Sequence, residues 1–165
     1  MEASERKVKL AQKLAEFRTR SQLEAAQKLL IELGIPLESC DIFLPKTPDC
    51  DRLETWLSKS FPWSFGQINW TQVKGSICLN WHSYDEVDSI FHQLCQSQQL
   101  GNSVINAMWF SAHHPVLEMQ MELVRASLTK ILVEDWDTWV FDPAAGWCIE
   151  IYHEGSICYG KPVND

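Results

Sequence analysis

The spacing of apolar residues predicts helices at the start of the chain and a sheet-rich part after them. From Leu10 to Leu33, apolar residues recur every three or four positions, which is typical of one face of a helix. Gly34 then ends the pattern, as glycine commonly does just after a helix. We expect residues 1–34 to form one bent helix or a helical hairpin, packed loosely on the rest of the protein.

A proline-punctuated connector follows at residues 35–50, with residues 42–44 as a short strand. Thr47 or Asp49 is placed to cap a short helix, because their side-chain oxygens can accept hydrogen bonds from its first N–H groups. Pro62 ends this helix.

Two hairpin–helix units are predicted next. Apolar and polar residues alternate on both sides of Lys74-Gly75, which predicts a hairpin over residues 68–81. Ser83 and Glu86 have the spacing of a capping box, which predicts a helix that ends by Gly101.

The second unit begins with residues 104–110, a nearly continuous apolar run typical of a central strand. Residues 117–121 alternate and complete its hairpin, and residues 124–132 have helical spacing. Three further strands at residues 138–141, 147–153 and 156–159 form a closing meander.

Because hairpins dominate this order, the fold class is α+β, with a mainly antiparallel sheet and helices packed on one face. We found no linker or low-complexity segment. We therefore expect one domain over residues 1–165, with the sheet-containing core at residues 66–160.

Charge is unevenly distributed along the chain. The net charge is −8 overall, although residues 1–28 contain seven basic and four acidic residues. The rest of the chain is therefore strongly acidic, which repels nucleic acid and favours a basic protein partner. Acidity is also an ordinary means of keeping a protein soluble.

The cysteines and the N-terminus indicate the cellular compartment in which the protein is expected. No apolar stretch reaches the ~20 residues of a membrane helix, and the charged N-terminus lacks the apolar core of a secretory signal. We therefore expect a cytoplasmic protein, without membrane association, whose six cysteines are mostly thiols. The sequence does not indicate an oligomeric state.

The most distinctive segment is residues 134–155, which combines tryptophans with carboxylates. Large aromatic rings and charges that complement the partner are typical of protein interfaces. The expected partner-binding residues are Trp136, Trp139, Trp147, Asp135, Asp137, Asp142 and Glu154.

The same segment offers a catalytic alternative, in which Asp137 and Glu150 hold a metal or form an acid/base pair and His153 assists. In a strand, however, Glu150 and His153 would face opposite sides. Zinc-ligand spacing, a phosphate-binding loop and a GxSxG nucleophile motif are absent from the sequence. We therefore expect neither a metal nor a cofactor.

These observations favour a non-catalytic protein-binding domain. One concrete form is an acidic immunity or antidote protein that docks a basic partner such as a nuclease toxin. A small hydrolase and a subunit of a larger assembly remain as alternatives.

Overall fold

The computed structural model describes residues 3–162, in which four helices surround a seven-stranded sheet. The helices are α1 (Ala3–Leu33), α2 (Pro48–Ser60), α3 (Tyr84–Ser97) and α4 (Met121–Glu134). The strands are β1 (Cys40–Phe43), β2 (Trp63–Ser64), β3 (Gln67–Ile68), β4 (Ile77–Asn80), β5 (Val104–Trp109), β6 (Val116–Gln120), β7 (Asp137–Asp142), β8 (Trp147–Tyr152) and β9 (Ser156–Gly160). Short 3-10 helices occupy Leu37–Ser39 and Trp70–Gln72.

The large sheet has the order β1-β6-β5-β7-β8-β9-β4, and every neighbouring pair is antiparallel. The α+β fold class with a mainly antiparallel sheet is therefore confirmed. The predicted central strand is β5, which lies between β6 and β7. The closing meander is β7, β8 and β9, each paired with the next along the chain.

Local capping signals place two helices correctly. The Ser83 hydroxyl accepts a hydrogen bond from the backbone N–H of Glu86 at 3.2 Å, at the start of α3. The Thr47 hydroxyl accepts one from Cys50 N–H at 3.4 Å, at the start of α2. In both cases the side chain satisfies an N–H group that has no partner within the helix.

One face of the sheet is covered by α3, α4 and the last turns of α1. Their buried residues include Leu30, Phe91 and Leu128, which pack with sheet residues such as Ile105 and Ile149. Alternate residues of each strand point to this face, as the twofold repeat of a strand requires.

The opposite face is covered by α2 and by the segment that contains β2 and β3. Leu53 and Leu57 of α2 pack with Phe141 of the sheet, and the Trp56 ring stacks on Phe141 with centroids 5.5 Å apart. Helices therefore cover both faces rather than one, and most of them lie on the α3–α4 side.

The hairpin predicted over residues 68–81 is wrong. Strand β3 pairs with β2, and Ile77–Asn80 forms β4 at the sheet edge beside β9. Alternation identified Ile77–Asn80 as a strand, but it does not specify the partner strand, which lies about eighty residues later. The sheet also extends beyond residues 66–160, because β1 joins its other edge.

Helix α1 is a single helix and not a hairpin. Residues 4–25 are exposed on all sides, and we call them the N-terminal arm. Only the last two turns pack on the body, through Ala26, Leu29, Leu30 and Leu33. None of the helices within residues 3–162 is both long and apolar enough to span a membrane.

The cysteines depart from the expectation of thiols at one pair. Cys78 in β4 and Cys158 in β9 are direct cross-strand partners and form a disulfide bond. The other four cysteines are free and buried. Burial raises the pKa of Cys40 and of Cys50 to about 12, so both are uncharged thiols at neutral pH.

Candidate functional site

The structure separates the acidic, tryptophan-rich segment that the sequence predicted as one surface. Trp139 and Trp147 are only 3% and 4% exposed, because their strand positions point into the two cores. Almost none of either side chain is accessible to a partner, so their assignment as partner-binding residues is corrected. Trp136 precedes β7 and is 69% exposed.

Asp142 is also removed from the predicted partner-binding set. It is buried, and its Oδ1 atom accepts hydrogen bonds from Ala144 N–H (2.9 Å) and Ala145 N–H (3.0 Å). This carboxylate therefore holds the tight turn between β7 and β8. Asp142 and Trp147 pair at one end of the sheet, and Asp137 and Tyr152 pair at the other. We call the latter the Asp137 end.

Asp137 and His153 are close together at the Asp137 end. The Asp137 Oδ1 atom accepts a hydrogen bond from the backbone N–H of His153 at 3.0 Å and lies 2.8 Å from the ring atom Nδ1. Asp137 is buried, whereas His153 is exposed. The carboxylate thus orients the imidazole and secures the turn between β8 and β9.

Glu150 has a different environment from the one required by the catalytic alternative. It is 2% exposed and accepts hydrogen bonds from Ile68 N–H (3.0 Å), Trp70 Nε1 (2.5 Å) and Trp139 Nε1 (2.9 Å). Burial raises the pKa of its carboxyl above the ordinary value of 4.5, and the three hydrogen bonds oppose that rise. Glu150 therefore anchors the segment after β3 to the sheet.

The predicted catalytic set is consequently not assembled around a common reaction space. Asp137 and His153 meet, but Glu150 is enclosed and its oxygens are occupied by three N–H donors. Within residues 3–162, no group of three or more His, Cys, Asp or Glu side chains is arranged to hold a metal ion.

A pocket of about 270 Å³ opens beside His153. Its walls come from the links before α3 and β7, from the end of α4 and from the end of β8. It is lined by Trp81, Tyr84, Leu132, Val133, Asp135, Trp136, Ile151 and His153. The buried side chains of Leu132 and Ile151 form an aliphatic floor, and aromatic rings and one carboxylate complete the lining.

Close backbone packing positions the Trp81 wall of this pocket. The backbone N–H of Trp81 donates to the carbonyl of Gly155 at 2.9 Å. A Cβ atom on Gly155 would lie 2.5 Å from the Trp81 carbonyl oxygen, so only glycine fits this approach. The β8–β9 turn therefore holds Trp81 and His153 around the same opening.

The opposite wall is held by Asp135. Its Oδ2 atom accepts a hydrogen bond from Ser111 N–H at 2.6 Å, and Oδ1 accepts one from Trp136 N–H at 2.8 Å. The Trp136 ring lies 4.8 Å from the His153 ring, centroid to centroid. The large exposed indole thus stands in a defined position beside a fixed carboxylate.

Further exposed aromatic residues at this end were not predicted from the sequence. Phe65 is fully exposed at the tip of the β2–β3 hairpin and has a positive φ of 51°, which is uncommon for a bulky residue. The hairpin tip lies close to Phe110, which is also exposed: a Cβ atom added to Gly66 would lie 3.5 Å from the Phe110 ring. Because Phe110 N–H donates to the Asp137 carbonyl, this pair borders the Asp137 end. In the sequence, this exposed ring is indicated by Phe65-Gly66, because an aromatic residue beside a turn-forming glycine can lie at the tip of a hairpin.

Comparison with known proteins identifies the family. The family model described as "CdiI immunity protein EcoliA0-like" matches residues 41–160, nearly three quarters of the chain. The chain therefore belongs to this family of immunity proteins, whose members bind a toxin partner. The match includes the whole sheet except Cys40 and leaves out the N-terminal arm. No curated protein matches the chain.

Proposed function

We propose that this immunity protein neutralises a basic toxin, such as a nuclease, by covering the toxin's working surface with the Asp137 end of the sheet. The protein acts by binding and not by catalysis. Its docking surface consists of the exposed aromatic residues Phe65, Phe110 and Trp136, together with Asp135 and Glu154.

The observation that carries this proposal is the exposed and oriented indole of Trp136. It is 69% exposed, although the protein buries Trp139 and Trp147 almost completely. A large exposed aromatic residue that is already held in place loses little freedom on binding, and tryptophan is enriched among the residues that dominate interface energies. Trp136 is therefore the expected centre of the contact.

Charge supports a basic partner. Beyond residue 76 the sequence contains three basic and twelve acidic residues. Asp135 lines the pocket and Glu154 is exposed next to His153, and among the described residues no lysine or arginine lines the pocket. Such a surface attracts a basic protein at long range and speeds correct encounters. On a nuclease, its carboxylates would occupy the space used by the phosphates of the substrate.

The proposal is tested with the toxin that co-purifies with the tagged chain from its native host, once that toxin has been identified and expressed separately. Trp136→Ala is expected to weaken toxin binding by about 30-fold or more and to abolish protection of cells. Phe17→Ala is the matched control, because Phe17 is equally exposed but lies on the N-terminal arm. Equal affinities of the two variants would reject the Asp137 end as the docking surface.

The role of charge is tested by association kinetics with the same toxin. Glu154→Gln is expected to slow association, and the rate should fall as salt increases. Glu38→Gln removes an exposed charge near β1, at the opposite end of the sheet, and should leave the rate nearly unchanged. An association rate that is insensitive to salt and to both substitutions would contradict a basic partner.

Stoichiometry separates binding from the hydrolase alternative. A blocking protein stops toxin activity at a ratio of one molecule per toxin molecule. An enzyme that destroys the toxin or its product would act well below that ratio. Titrating toxin activity with the purified protein therefore decides between the two.

A further inference from the structure

We propose that the pocket between Trp81 and Trp136 receives a cationic side chain of the toxin, with arginine preferred to lysine. This inference rests on the proposed function and names the chemistry that the same surface recognises. The pocket combines three aromatic residues, Trp81, Tyr84 and Trp136, with the carboxylate of Asp135.

The pocket is the right size for a side chain. Its volume of about 270 Å³ is slightly smaller than that of typical small-molecule sites, which is roughly 300–1,000 Å³. The aliphatic floor of Leu132 and Ile151 can cover the methylene groups of a long cationic side chain. The aromatic walls then surround its charged end.

The walls attract a cation through two physical effects. A cation placed over an aromatic face is drawn to the negative face of the ring, and tryptophan gives the strongest effect of this kind. Asp135 adds a full negative charge at the edge of the pocket. Each of its oxygens accepts one backbone N–H and has a further lone pair for a second donor.

In the part of the chain that the structure describes, Asp135 has no ion pair with a lysine or arginine, and neither residue type lines the pocket. Further acidic residues, Asp85 and Glu154, are exposed next to lining residues. The local field therefore favours an incoming positive charge.

Arginine suits the pocket better than lysine. Its guanidinium group is planar, stacks on aromatic rings and is more weakly hydrated than an ammonium group. Both properties reduce the cost of moving the charge from water into a pocket with aromatic walls. A guanidinium can stack on Trp136 while it donates to the free lone pairs of Asp135.

The test uses a small probe and needs no toxin. N-acetyl-L-arginine methylamide is titrated into the ¹⁵N-labelled protein, and the indole N–H signal of Trp136 is followed by NMR. The signal is assigned by its loss in Trp136→Leu. The neutral analogue N-acetyl-L-citrulline methylamide has nearly the same shape and is the matched control probe.

We expect saturable shifts of the Trp136 signal with the arginine probe, and binding at least about tenfold weaker with citrulline. Asp135→Asn, checked for folding by its NMR spectrum, should weaken arginine binding by a similar factor. Equal binding of both probes, or no shift of the Trp136 signal, would overturn the inference. Either result would leave the proposed docking surface standing, because that proposal depends on the toxin affinity of Trp136→Ala.

Discussion

Glu150 and Trp139 are direct partners on neighbouring strands, and the Glu150 carboxylate accepts the indole N–H of Trp139 at 2.9 Å. The same carboxylate accepts the indole N–H of Trp70 and the backbone N–H of Ile68. A buried acid that appeared suitable for catalysis is thus the acceptor that joins the β2–β3 segment to the sheet. This attachment also supports the hairpin that displays Phe65.

Removing this acceptor is expected to destabilise the fold. In Glu150→Ala, three N–H donors in or near the core lose their partner, and each unsatisfied donor costs about 1–3 kcal/mol. We expect the free energy of unfolding to fall by about 3 kcal/mol or more. Urea denaturation of the variant and the parent protein measures the difference, and a loss below about 1 kcal/mol would contradict the anchoring role.

The same residue predicts a specific pH dependence. Because burial raises the pKa of Glu150, the folded protein binds its proton more tightly than the unfolded chain does. The contribution of Glu150 to the free energy of unfolding is therefore greatest below the ordinary pKa of 4.5 and declines as pH rises through the folded value. Unfolding of the parent and of Glu150→Gln is compared from pH 4 to about pH 8. The free energy of unfolding of the parent, relative to that of Glu150→Gln, should fall as pH rises. A difference that does not change with pH would contradict a raised pKa.

Helix α1 is expected to contribute to stability only through its last turns. Leu30 is fully buried, so Leu30→Ala should cost about 2–5 kcal/mol. Leu14 is 48% exposed on the N-terminal arm, so Leu14→Ala should change stability by less than about 0.5 kcal/mol. The two substitutions are chemically identical and lie in one helix, so thermal unfolding of both variants compares the two environments directly. Similar losses would mean that the arm packs against the body.

Cysteine reactivity should reveal both burial and the disulfide bond. The four free cysteines are buried, and their pKa values are raised mainly by burial. The folded protein should therefore react very slowly with a thiol reagent at neutral pH. The unfolded, unreduced protein should show four thiols, and the reduced protein should show all six cysteines. Six thiols before reduction would exclude the Cys78–Cys158 bond.

Local sequence signals predicted the parts of this fold that depend on neighbouring residues. The capping box of Ser83 and Glu86 predicted the start of α3, and the strands predicted at residues 138–141, 147–153 and 156–159 correspond to β7, β8 and β9. Pairing between distant segments was not predictable in this way. Strand β4 pairs with β9 and is linked to it by the Cys78–Cys158 disulfide, and alternation along one strand does not encode a partner about eighty residues away.

The candidate site was predicted only in part for a similar reason. Trp136, Trp139 and Trp147 are close in sequence, and composition alone treats them alike. Trp139 and Trp147 occupy strand positions that face the two cores, whereas Trp136 lies just before β7 and stays exposed. The contribution of Phe65 and Phe110 depends on the β2–β3 hairpin reaching the sheet end, which is a tertiary contact.

The most direct measurement of toxin docking at the Asp137 end is ¹⁹F NMR of protein labelled with 5-fluorotryptophan. The signals are assigned by single replacements of Trp136, Trp139 and Trp147, and the purified toxin is then added. The Trp136 signal should shift or broaden in step with complex formation, and the Trp139 and Trp147 signals should stay close to their original positions. A complex that forms with no change at Trp136 would contradict docking at this end of the sheet.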